Sequence, residues 1–256
     1  MSDPYVIWTM RRTGGTTLAT LLSLLSEHPR VQHEPFNKGR KFGDVYPAFL
    51  ETGDTTALRG TLLDLLADRP VIKHCHELMN HAFNSTLMQV TTELGYRHIV
   101  LDRRSETDRL LSLELAQLTG AWGGDAAAKL YPAIEAGEVT LDPINMKHAS
   151  YQMELCQTRR AQLAAMTAQA DPAPFVIYFE DVYTDPERGR ALIERLLAFL
   201  GIDPQAHPDY ENLMEDALLR RGQNSFRIAT AVPGFAKDRA RLQAMEAKKP
   251  KIFVSS

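Results

Sequence analysis

The sequence predicts an α/β protein with three layers, a parallel sheet flanked by helices. Three observations carry that expectation. Four short β-branched or aromatic runs, Tyr5 to Thr9, Val71 to His74, His98 to Leu101 and Phe175 to Phe179, have the composition of buried strands. Helical spacing of apolar residues follows each run, in Leu18-Leu21-Leu22-Leu25, Leu87-Val90-Leu94, Leu110-Leu111-Leu115-Leu118 and Leu192-Leu196-Leu197-Leu200. Strand then helix, repeated, lays strands side by side with helices over both faces. Finally, 256 residues with 44% apolar and 24% charged side chains can close a sizeable core, so a single domain over residues 1–256 is expected.

The remaining segments fit around that frame. A further helix is predicted from about Asn145 to Ala170, where Met146, Ala149, Met153, Cys156 and Leu163 form one apolar stripe. Asp171-Pro172-Ala173-Pro174 then breaks the chain before the last strand. Lys248-Lys249-Pro250-Lys251 has the composition of a solvated tail. No repeat, low-complexity tract or composition shift marks a boundary.

Composition also limits the partners. With 29 basic and 32 acidic residues the net charge is -3, which gives no broad positive field for a nucleic-acid backbone or an anionic membrane. Met1 to Tyr5 lacks the pattern of an export signal, and Leu192 to Leu200 is short and interrupted by Glu194 and Arg195, so no membrane insertion is expected. Two cysteines, Cys75 and Cys156, lie far apart and fit a reduced, cytoplasmic chain better than a disulfide framework.

The first predicted strand runs into Met10-Arg11-Arg12-Thr13-Gly14-Gly15-Thr16-Thr17-Leu18 and then the first leucine-rich helix. Strand, glycine turn, helix is the layout of an anion site. Glycines let the backbone approach a ligand, and the first amides of the helix point at it along a favourable dipole. Thr13, Thr16 and Thr17 can add hydroxyl donors, and Arg12 a permanent cation. A nucleoside-triphosphate loop would carry lysine after the glycines, but Thr16 stands there, and no G-x-G-x-x-G pattern is present. The other reading of the segment is a βα turn with a threonine cap and exposed arginines.

This loop resembles the 5′-phosphosulfate loop of sulfotransferases that use 3′-phosphoadenosine 5′-phosphosulfate (PAPS), in particular bacterial and carbohydrate-type members. Gly15 departs from the family's usual hydroxyl. Two further segments extend the resemblance over roughly Tyr5 to Gly201. Val100-Leu101-Asp102-Arg103-Arg104, with Ser112 eight positions after Arg104, is similar to the family's 3′-phosphate site, and Ser105 with Asp108 resembles a capping box opening the helix between them. Phe175 to Asp181, through Asp185-Pro186 to Phe199-Leu200-Gly201, resembles a largely structural stretch, with Phe179 where tyrosine is commoner.

The resemblance implies a P-loop-like sulfotransferase fold, PAPS as co-substrate and 3′,5′-adenosine diphosphate as product. It implies no metal, and a small-molecule or glycan acceptor bearing a hydroxyl or amine. Arg11, Arg12, Thr13, Gly14, Gly15, Thr16 and Thr17 would hold the 5′ side, and Arg104 and Ser112 the 3′-phosphate. Arg12 and Lys73 would stabilise charge on the leaving side. Glu34, in Val31-Gln32-His33-Glu34-Pro35-Phe36, matches an acidic segment whose glutamate is the proposed base. A glutamate serves that role well only if burial or a bound acceptor raises its proton affinity.

His74 and His76 compete for the role of base. Their spacing on an extended segment would put both on one face and permit a metal pair, but no third ligand stands in a recognisable motif. Trp122-Gly123-Gly124 and Tyr131 could line the acceptor pocket, with core packing the default for Trp122. Arg220-Arg221-Gly222 and Phe226 could extend the nucleotide site. The alternatives to a sulfotransferase are a kinase-like phosphotransferase and a non-catalytic phosphate- or sulfate-binding module.

Overall fold

The computed structural model describes residues 2–28, 32–168, 170–219 and 223–253. From the amino end, β1 (Tyr5–Thr9) bends sharply into α1 (Gly15–Leu24). β2 (Gln32–His33), α2 (Val45–Thr52), α3 (Thr55–Leu65), β3 (Ile72–Cys75), α4 (His81–Glu93) and β4 (Arg97–Asp102) follow. The three helices α5 (Glu106–Thr119), α6 (Gly124–Glu135) and α7 (Met146–Thr167) precede β5 (Phe175–Tyr178). Helices α8 (Phe179–Tyr183), α9 (Pro186–Phe199), α10 (Tyr210–Leu219) and α11 (Phe235–Glu246) complete the chain. It forms two compact units, residues 1–102 with 159–219 and 252–256, and residues 103–158 with 220–251.

The first unit is an α/β layer structure. Its five strands are all parallel, in the order β2-β3-β1-β4-β5. Alternation along each strand separates two cores. Tyr5 and Ile7 of β1, with Ile99, Leu101 and Ile177, pack under Leu18 and Leu22 of α1, Leu196 of α9 and Met214 of α10. Val6 and Trp8, with Ile72, Val100 and Val176, pack under Phe49 of α2, Leu62 of α3 and Phe83 and Leu87 of α4. Helices therefore cover both faces, as the sequence predicts. The chain builds outward from β1 in one direction through β3 and β2, then in the other through β4 and β5. That reversal places the carboxyl end of β1 at a topological switch point, the usual place for a ligand in an open α/β sheet.

Two details differ from expectation. Gln32–His33 adds a fifth strand, too short to carry a period. Phe179 does not end β5 but begins α8, a short helix tied back by the buried Asp181, which accepts from Arg188 of α9 at 2.8 Å. Asp185 caps α9 by accepting from the amides of Glu187 and Arg188, with Pro186 in the first turn. Where α9 crosses α8, Gly189 lies so close that a Cβ would stand 2.1 Å from the Val182 carbonyl oxygen.

The second unit is helical. Leu110 and Leu113 of α5, Tyr131 of α6, Met153 of α7, Ile228 and Leu242 of α11 form its core. Arg109 is fully enclosed there, bonded to the Glu106 carboxylate at 2.7 and 2.8 Å and to the Cys156 sulfur at 3.0 Å. The Lys248 to Lys251 stretch is largely exposed, as expected of a solvated tail, and is held at two points. Lys249 pairs with Glu154, and the Gln157 amide donates to the Pro250 carbonyl at 2.8 Å. Trp122 is half exposed, contrary to a core role. Neither Cys75 nor Cys156 forms a disulfide, and among the described residues no helix is long and apolar enough to cross a membrane.

Replacing Gly189 with alanine should push α8 off α9. The expected loss is about 1–3 kcal/mol in urea unfolding of the full chain. An unchanged midpoint would show that the two helices separate without cost.

Candidate functional site

The bend after β1 is built by its own side chains. Gly14, just before α1, has φ +82, in the left-handed region that favours glycine. Its space is also closed, since a Cβ would fall 2.6 Å from the Tyr183 ring and 3.1 Å from Phe179. The Tyr183 hydroxyl donates to the Gly14 carbonyl at 3.2 Å, and burial pushes its phenol up, so the donor proton stays. The stretch that the sequence marks as structural thus serves as the backing of the loop. Gly15 is less tightly held, since a Cβ would stand 3.1 Å from the Thr9 methyl and 3.4 Å from the Lys73 stem, contacts that a small shift of either side chain relieves.

Two loop residues, Thr13 and Arg11, are tied into the protein by side-chain contacts. Thr13 is fully buried, donates to the Met10 carbonyl at 2.7 Å and bonds with the Thr9 hydroxyl, so it shapes the loop and is not presented to a ligand. Glu77, which sequence reasoning missed, has an enclosed side chain. Its Oε1 accepts from the Arg11 amide at 2.8 Å and from Arg11 Nε at 3.0 Å. Arg11 is therefore an anchor of the loop, held by a residue just beyond β3. No local signal could have linked two residues so far apart in sequence.

The other groups face outward. Thr16 is exposed and Thr17 half-buried at the start of α1. No side chain caps this helix, and its first turn carries no acidic residue. The amides of Gly15, Thr16 and Thr17 thus lack intrahelical partners, at the positive end of the helix dipole. Arg12 is half-buried with φ +69. Among the described residues only four non-glycine residues have positive φ, and both Arg12 and Glu34 are among them. Backbone held in that region costs free energy and concentrates at functional sites.

Lys73 and Glu34 meet beside this helix start. In the register of β2 on β3, His33 lies opposite Lys73, and the Glu34 amide donates to the Lys73 carbonyl at 2.7 Å. Lys73 Nζ pairs with Glu34 Oε1 and also lies 3.4 Å from Thr16 Oγ1. Asn37 Nδ2 donates to the other oxygen of Glu34 at 2.7 Å. Burial opposes the charge on Glu34, but Lys73 and the hydrogen bonds from Lys73 and the Cys75 thiol outweigh it, and its carboxyl lies below the usual range. The condition that sequence reasoning set for a base, a raised proton affinity, is not met.

His74 and His76 do not lie on one extended segment. Next to Lys73 on β3, His74 points to the opposite side of the sheet. It is 1% exposed, bonded through Nε2 to Asn84 Oδ1 at 2.8 Å and stacked edge-on against Trp8 at 5.3 Å. Burial lowers its pKa to about 4, so it is a neutral core residue. His76 has left the strand for a 3₁₀ turn, where its carbonyl accepts from Asn84 Nδ2 at 2.9 Å. Among the described residues no group of three or more His, Cys, Asp or Glu stands together as a metal site.

The second unit holds the remaining candidates. Arg104 is half-buried just ahead of α5. Ser105 caps that helix by accepting from the Asp108 amide at 3.1 Å, as predicted. Glu246 takes the next two amides, those of Glu106 and Thr107, at 2.8 and 2.9 Å. The α5 terminus is therefore filled by the protein's own carboxylate, whereas no side chain caps α1. Ser112 is buried, its hydroxyl 2.9 Å from that of Ser225. Phe226 packs edge-on against Phe235 at 6.1 Å, with the Arg239 guanidinium 5.8 Å over its ring. Tyr131 is fully buried and accepts from Gln223 Nε2 at 2.7 Å, so it belongs to the core. Arg220-Arg221-Gly222 lies outside the described residues.

Comparison of the chain with protein-family models, with curated proteins and with solved structures finds no match.

Two measurements check this site. Gly14→Ala should cost about 1–2 kcal/mol from the left-handed backbone alone, with the Tyr183 contact adding to it, and should be read by thermal unfolding. In proton NMR the His74 ring should show no titration between pH 8 and 5, because it charges only near pH 4. A midpoint near 6.5 would place His74 in contact with solvent.

Proposed function

We propose that this chain is a PAPS-dependent sulfotransferase that transfers a sulfuryl group to a hydroxyl or amine of a small-molecule or glycan acceptor. One observation carries the proposal. At the switch point of a parallel sheet, an uncapped, acid-free helix start is flanked by a lysine with 6% side-chain exposure and a glutamate with 22%. That arrangement suits an anion next to a group able to accept a proton.

PAPS would supply the sulfuryl group. The amides of Gly15, Thr16 and Thr17 would hold the 5′ anion, with Thr16 and Thr17 adding hydroxyl donors. Lys73 and Arg12 would offset the negative charge that grows on the leaving phosphate as the sulfur–oxygen bond breaks. Glu34 would take the proton of the attacking hydroxyl or amine as the new bond to sulfur forms. In the second unit, Arg104 and Ser112 are the candidates for the 3′-phosphate, which would distinguish the donor from nucleotides lacking that group. The fold is then a P-loop-like one in which the loop lysine is replaced by a lysine from the adjacent strand.

A non-catalytic anion-binding module is the second possibility, favoured by one observation. Glu34 is held ionised by Lys73, Asn37 and Cys75 in the ligand-free protein, the state of a poor base. Incubation with PAPS and a broad acceptor panel separates the two, since a module yields no transfer. Magnesium-dependent ATP turnover would instead point to a kinase-like phosphotransferase.

Binding provides the primary test. Calorimetry should show 3′,5′-adenosine diphosphate bound without magnesium, and Arg104→Ala should weaken it at least tenfold, about 1.4 kcal/mol, with little effect on 5′-AMP. Equal affinity of the wild type for the two nucleotides would sink the proposal.

A further inference from the structure

The carboxylate of Glu34 has more donors than a base can use. Lys73 holds Oε1, Asn37 holds Oε2 at 2.7 Å, and the buried Cys75 thiol nearby also favours the charged form. Asn37 belongs to the turn directly after Glu34 and Cys75 to the buried end of β3, so both are fixed to the same framework. Lys73 differs from them. Its ammonium also lies 3.4 Å from Thr16 Oγ1, at the open start of α1, at the end of a flexible four-carbon stem. An anion seated on the first amides of α1 would compete with Glu34 for this one cation.

On the understanding that the bend holds an anion, as proposed above, we infer that Lys73 is a shared counter-ion that moves from Glu34 to the bound anion, so that occupancy of the bend makes Glu34 a stronger base. Lys73 is then a positioning residue for Glu34 as well as a ligand of the anion. At neutral pH the carboxylate stays ionised and gains affinity for the acceptor's proton. At lower pH it takes one proton from solvent when the anion binds. The order of events follows: the acceptor meets an active base only once the donor is in place.

The sign of the linkage is fixed by the geometry. Lys73 holds Glu34 below its usual range in the free protein, and loss of that partner moves it up. Anion binding therefore takes up a proton, and affinity rises as pH falls through the value of the bound state. Other titratable or charged groups act on the same site: His33 before Glu34, Arg40 in the following loop, and Cys75 and Glu77 at the end of β3, while His74 acts on it only through the sheet, from the opposite face. His33 is half-buried and feels both Lys73 and Glu34, so it is the principal competitor for the proton.

Inorganic sulfate is a suitable probe because it stays a dianion between pH 5 and 7.5. Calorimetry of sulfate binding to the full chain, repeated in buffers of different ionisation enthalpy, should show proton uptake that grows as the pH falls from 7.5 toward 5. Affinity should rise by up to about tenfold per pH unit there. Glu34→Gln should abolish the uptake and His33→Asn should leave it. In the unmutated protein, the carboxyl carbon of Glu34 should titrate at a higher pH with sulfate than without, which keeps the test decisive if a variant misfolds. Sulfate binding without proton uptake, uptake that survives Glu34→Gln, or an unmoved Glu34 midpoint would each overturn the inference while the anion site stands. Failure of sulfate to bind at all would overturn both.

Discussion

The left-handed turn at Gly14 is the constraint on which the first unit's chemistry depends. It redirects the chain from the end of β1 into α1 within a few residues, which is what brings the positive end of a helix to the switch point of the sheet. The turn is held from two sides. Tyr183 and Phe179 close it from α8, and Glu77 holds the Arg11 backbone and side chain from beyond β3. Thr9 and Thr13 seal its interior. With those groups turned inward, the start of α1 presents the exposed Thr16 and the half-buried Thr17.

Electrostatics at the site follow from pleating. Successive residues of β3 point to opposite faces, so Lys73 reaches the α1 side while His74 enters the aromatic core around Trp8, Phe36 and Phe83. The cost of enclosing an ammonium is offset by Glu34, which the parallel pairing of β2 with β3 delivers beside it. His74 is thereby assigned to the core, and Glu34 is the acidic group beside the start of α1.

Much of this was legible in the sequence, for local reasons. Tyr5 to Thr9 and the leucines of α1 declare themselves by composition and period, as does the stripe through Ala149, Met153 and Cys156 on α7. Ser105 announces its cap because that contact spans three residues. What stayed hidden depends on partners distant in the chain. The two residues of β2 have no period of their own and become a strand only by pairing with β3. Glu77 acquires its role from Arg11, and Glu246 from the amides of Glu106 and Thr107. Phe179 looked like strand because an aromatic after Val-Ile-Tyr fits a buried run, yet the capping and packing of α9 require the chain to turn there.

The cation beside the bend is carried by a strand in the middle of a hydrogen-bonded sheet and not by the loop itself. Slipping β3 by one position would exchange Lys73 for His74, burying the ammonium among aromatic rings and leaving an imidazole beside Thr16. Insertions between α3 and β3 can be absorbed at the surface, but a single added or deleted residue within Ile72–Cys75 would cost the site its charge and the core its packing at once. Drift in chain length is therefore opposed in this strand by two independent penalties.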